Sequence, residues 1–134
     1  MKIKNMKTRL CFLAFVALFL TICNQLNAQN SGLSISLTKS NGNIFSTNEA
    51  GKHVLSFEVS GIENQKHAEN LKKYISKFRG VEEFNLQPIV GGNKWKADGI
   101  FYEYSDAPYF KNLFKLMKVT EVVQDNVQTS IDNL

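Results

Sequence analysis

The apolar residues of this chain change their spacing in a fixed succession, and that succession limits the fold more than any single motif. Leu55, Phe57 and Val59 alternate with Ser56, Glu58 and Ser60, the period of a strand with one buried face. Gly61 ends the run. From about Asn64 to Arg79, Ala68, Leu71, Ile75 and Phe78 recur every three or four residues while Lys72, Lys73, Ser76 and Lys77 fall elsewhere, which predicts an amphipathic helix closed by Gly80. Val81 to Val90 predicts a strand with Phe84 and Leu86 on one face, and Gly91-Gly92-Asn93 a hairpin turn into a further strand, Lys94 to Tyr104. There Trp95 and Ala97 share one phase and Ile100, Tyr102 and Tyr104 the other, so Gly99 is the expected place of a bulge. Ser105 or Asp106 is placed to cap a second helix, with Pro108 in its first turn and Phe110, Leu113, Phe114 and Met117 as its apolar stripe. A short strand from Val119 to Gln124 closes a domain expected over residues 53–126, and 127–134 read as a polar, frayed tail.

The order is β-α-β-β-α-β. It predicts an α+β fold, a ferredoxin-like sandwich in which two helices cover one face of a four-stranded antiparallel sheet. Ahead of it, residues 29–52 are rich in Ser, Asn, Gly and Thr. Leu33, Ile35 and Leu37 alternate as one strand would, and Ser40-Asn41-Gly42-Asn43 before Ile44-Phe45 suits a hairpin turn; a flexible leader fits the same composition.

The first 28 residues read differently. Lys2, Lys4, Lys7 and Arg9 precede an apolar run from Leu10 to Leu20, and Asn24, Gln25 and Asn27 follow before Ala28, the pattern of a secretory signal peptide cut after Ala28. The run is shorter than the roughly 20 residues a membrane-spanning helix needs, so no span is expected after cleavage. Bulky Ile22 before Cys23 argues against a lipoprotein signal and a lipid anchor at Cys23. The expectation is an exported protein, periplasmic or secreted. Those four basic residues are the whole excess of the 16 Lys and Arg over the 12 Asp and Glu, so the mature chain is neutral. Both cysteines, Cys11 and Cys23, also lie in the signal, so the mature domain holds neither a disulfide nor a thiolate ligand. Its stability must come from its core.

The stretch VSGIENQKHAENLKKYISKFRGVEEFNL, Val59 to Leu86, resembles the heavy-metal-associated domains of copper chaperones and metal-pumping ATPases. Those domains place a Gly-Met-x-Cys-x-x-Cys loop between a strand and a helix and close the helix with Gly-Val. Gly61 and Ile62 fall on the Gly-Met, and Leu71, Ile75, Phe78, Gly80 and Val81 on the core and turn positions. Asn64 and His67 fall on the two cysteines. The resemblance implies a ferredoxin-like scaffold and a metal-handling loop, but an amide and one imidazole do not replace two thiolates for Cu(I). Two readings follow: a binding or interaction module without a cofactor, or a weak Zn or Cu site in which His67, with Glu63 and Asn64 as oxygen donors, binds metal. His53, the other histidine, has no spacing that brings it to His67.

Other chemistry finds less support in the residues. Trp95, Phe101, Tyr102 and Tyr104 invite comparison with RNA-binding sheets, but a neutral chain without a basic, glycine-aromatic strand excludes that class. Packing in the core and on the sheet accounts better for these aromatics; any that crowd the open sheet face would point to a protein partner or a small apolar ligand there. An acylphosphatase-like arginine is missing from Ser60 to Asn64, since Arg79, the single arginine after the signal, lies at the far end of the helix. Asp98, Glu103 and Asp106 read as solvated charges. No enzyme is expected.

Overall fold

A computed structural model describes residues 32–39 and 42–134. The proposed signal segment, and Ser40-Asn41 of the expected turn, lie outside the described residues. Strands β1 (Leu33–Leu37), β2 (Ser46–Thr47) and β3 (His53–Ser60) precede helix α1 (Gln65–Ser76). Strands β4 (Val81–Pro88) and β5 (Lys94–Phe101), helix α2 (Ala107–Leu116), β6 (Val119–Gln124), β7 (Val127–Ser130) and a 3-10 turn (Ile131–Asn133) complete the chain. Among the described residues no helix is long and apolar enough to cross a membrane.

Among the described residues the fold is α+β, with two helices and one mixed, seven-stranded sheet in the order β4-β5-β3-β1-β6-β7, β2 pairing beside β3. The β-α-β-β-α-β order runs from β3 to β6 as expected, but the clean four-stranded antiparallel sheet does not form. The reason is β1. Leu33, Ile35 and Leu37 are all but fully buried, so this segment joins the sheet as a strand with its apolar face on the core instead of preceding it as a leader. The strand lies between β3 and β6, antiparallel to the first and parallel to the second.

The expected polar tail also packs. Asp125 and Asn126 both adopt left-handed backbone (φ 50° and 66°), the two-residue turn that suits a twisted hairpin, so β7 returns along β6. Ile131 is buried beneath it, and Lys111 and Lys115 of α2 hold the chain end through the Asp132 carbonyl and carboxylate (2.6 and 2.7 Å). The bulge expected at Gly99 is absent: β3 pairs with β5 without a shift, and the irregularity lies on β4 between Val81 and Glu83. A Cβ on Gly99 would lie 2.6 Å from the Phe101 ring, so this glycine makes room for Phe101, which keeps the phase of Trp95 and Ala97.

One face of the sheet carries the core. Leu55, Phe57 and Val59 of β3, Phe84 of β4, Trp95, Ala97 and Phe101 of β5, and Val119 and Val122 of β6 meet Ala68, Leu71 and Ile75 of α1 and Phe110, Leu113 and Phe114 of α2. Burying each such aliphatic or aromatic side chain contributes about 1.5–3 kcal/mol. The opposite face is polar. Ser56 lies against Asp98 (2.5 Å), and Lys94–Glu58 and Lys96–Asp98 pair at 3.3 Å.

Candidate functional site

Because β3 and β4 run parallel with β5 between them, the loop leaving β3 and the hairpin joining β4 to β5 emerge at one end of the sheet. Gly61 begins the loop with φ 97°, and a side chain there would press on the Gly32 carbonyl at 3.3 Å. Asn64 then caps α1: its Oδ1 accepts the backbone N–H of His67 at 2.9 Å, satisfying one orphan donor of the first turn. His67 turns back, and its Nδ1 accepts the Glu63 N–H at 3.3 Å. With Nδ1 engaged as acceptor, the neutral ring carries its proton on Nε2.

Between this loop and the hairpin lies a groove of about 490 Å³, lined by Ile62, Glu63 and Asn64 on one side and Pro88, Lys94 and Trp95 on the other. Ile62 and Trp95 are nearly buried and form its apolar base. Val90 at the hairpin tip is wholly exposed.

Sequence reasoning named Glu63, Asn64 and His67, and the fold brings the three together at the start of α1. Asn64 spends its carbonyl on the cap, and the Nδ1 lone pair of His67 is engaged, so this donor set does not match a soft-metal site with two thiolates. Among the described residues no three His, Cys, Asp or Glu side chains gather to hold a metal ion. His53, first residue of β3, sits at the opposite end of that strand. What sequence reasoning missed is the second wall, Pro88 to Trp95. The split β-α-β order already held the signal, since it forces that hairpin beside the loop.

The other end of the sheet is shut by rings. His53 Nδ1 donates to the Ser105 carbonyl at 2.6 Å, and the fully buried Ser105 hydroxyl donates to the Tyr102 carbonyl at 2.6 Å. Ser105 therefore ties β3 to the chain after β5, and Asp106 caps α2. Phe45 stacks on His53 (centroids 4.2 Å), Phe110 lies 5.4 Å beyond Phe45, and Phe101 meets Phe110 edge to face. Tyr109 donates its hydroxyl to the Arg79 carbonyl at 2.8 Å, and burial, helped by the nearby Tyr104, pushes that hydroxyl up to about 12. Outside this plug, Tyr102 and Tyr104 are exposed. The hydrogen bond to Glu82 holds the Lys52 ammonium above the usual lysine range.

The four aromatics of this stretch divide between the core and the strand's end, and the condition for an aromatic partner surface on the open sheet face is not met. Trp95 and Phe101 point into the core, and Tyr102 and Tyr104 lie beyond the end of β5. Compared with known proteins, the chain matches no family model, no curated protein and no solved structure.

Proposed function

We propose that this chain is an exported, non-catalytic binding module on a scaffold similar to heavy-metal-associated domains, its metal loop turned to other contacts. In this reading the β3-α1-β4-β5-α2-β6 unit is ferredoxin-like, with β1 inserted between its first and last strands and β7 added outside. Export rests on the basic start and short apolar run of the first 28 residues.

The observation that carries the binding role is the groove beside the loop. Its 490 Å³ lies within the roughly 300–1,000 Å³ of small-ligand sites, and it combines an apolar base with Glu63, Asn64 and Lys94 at its rim. The open sheet face is the weaker candidate for a protein partner, because its charges already pair with one another. Exposed Val90 beside the groove extends the apolar contact a partner would find.

Trp95, the single tryptophan, is the natural reporter. A fragment screen on isotope-labelled residues 29–134 is expected to find ligands that shift the Trp95 indole and the Gly61–Asn64 amides together; hits confined to other surfaces would refute the groove. A parallel competition against a Cu(I) chelator and a Zn(II) indicator should show no tight one-to-one capture. Tight capture lost in His67→Ala would replace this reading with the altered metal site.

A further inference from the structure

Opposite the groove, Tyr102 and Tyr104 are 44% and 54% exposed, with ring centroids 6.1 Å apart and planes 16° from parallel. Glu103 lies between them in sequence, and Glu82 and Glu83 of β4 stand near Lys52 beside the Tyr102 ring. The Glu103 carboxylate lies close to Gly51, the neighbour of Lys52, so acids from β4 and from the Tyr102–Tyr104 turn flank the same lysine. One ammonium already uses it: Lys52 Nζ sits 5.5 Å from the Tyr102 centroid and 2.5 Å from the Glu82 carboxylate. A cation there is attracted by the ring face and the carboxylate together.

We propose that the Tyr102–Tyr104 patch is a docking surface for a partner protein presenting a lysine-bearing segment, whose ammonium groups repeat on Tyr104 and Glu103 what Lys52 does on Tyr102 and Glu82. Ring faces and carboxylates are both complementary to such a partner, and neither favours an anionic one. Lys52 acts as a competitor held in place by the fold.

The test titrates a hexalysine peptide into the isotope-labelled protein and follows the ring and amide signals of Tyr102 and Tyr104. Saturable shifts centred on these residues are expected. Tyr104→Ala should weaken binding by about two- to five-fold, the range of one exposed cation–π contact. Lys52→Ala should strengthen it by a similar factor, while Lys72→Ala on α1, an equal change of charge elsewhere, should leave it unchanged. Glu103→Gln gives a second reading should Tyr104→Ala fold poorly, and it too should weaken binding. Shifts spread over other carboxylates, equal effects of Lys52→Ala and Lys72→Ala, or self-association through the α1 lysines of a second copy would each overturn the proposal.

Discussion

At one end of the sheet a loop and a hairpin stand apart over Ile62 and Trp95, while at the other Phe45, Phe78, Phe101, Tyr109 and Phe110 from four separate segments close the same gap with rings. Both ends terminate the same strands, so strand pairing cannot account for the contrast. Side-chain volume does. Aromatic rings at the β2, α1–β4 and α2 connections fill the closed end, whereas Gly91, Gly92 and Asn93 give the hairpin no side chain long enough to reach the loop. The closed end should therefore carry more of the stability, and the groove end should tolerate change. Local opening and ligand contact belong to such less tightly packed regions.

Removing a ring from the plug should break this contrast most severely. Phe110 is fully buried against Phe45, Phe101, Tyr109 and Phe114, so Phe110→Ala should cost about 3–5 kcal/mol in urea melts. Val90→Ser at the groove end, where the side chain touches nothing, should stay within about 0.5 kcal/mol. Comparable losses at the two sites would show that the ends do not differ as their packing implies.

A smaller effect is expected at Gly80, which follows α1 with φ 92°. A Cβ there would meet the Tyr109 hydroxyl at 2.8 Å and the Tyr104 hydroxyl at 3.1 Å. Left-handed strain and displacement of Tyr109 from the Arg79 carbonyl together should make Gly80→Ala cost about 1–3 kcal/mol. The same melts check it.

At the groove end the corresponding lever is the cap. Asn64→Ala should cost about 1 kcal/mol, while Asn64→Asp, which keeps an acceptor for the His67 N–H and adds charge at a helix start with no acid in its first turn, should be neutral within a few tenths. An Asn64→Asp variant as unstable as Asn64→Ala would mean that the side chain serves something other than the helix.

Much of this was legible because the apolar periods were. The stripes of both helices, Asn64 as a cap and the pairing of β4 with β5 follow from spacing and turn residues alone. The place of β1 was not, since Leu33, Ile35 and Leu37 state which face is buried but not which strands lie on either side. Val127–Ser130 hid for another reason: a short edge strand needs few apolar residues, and its signal was the Asp125-Asn126 turn rather than a hydrophobic run. Tyr102 and Tyr104 continued the phase of Ile100 in sequence, and only the strand's end at Phe101 moved them off the open face. The groove is a property of two loops, and neither loop announces it by itself.

The smallest expected effect sharpens the comparison through pH. The Tyr109 hydroxyl is pushed from 10.0 up to about 12, first by burial in the plug, so the folded state keeps its proton in a range where the unfolded chain loses it. The folded state then binds more protons than the unfolded state between about pH 10 and 12, and stability falls with rising pH across that window. Below pH 10 the contribution is fully present; above about 12 it is gone. Tyr109 is only partly buried, and solvent screens its charge, so the slope should be shallow. Tyr109→Phe should be somewhat less stable at neutral pH, because the Arg79 carbonyl loses its donor, yet its stability should fall less steeply between pH 10 and 12. Denaturant melts of both proteins at stepped alkaline pH measure the two slopes. Parallel slopes for the two proteins would place the alkaline loss outside the plug and remove Tyr109 from the contrast between the ends.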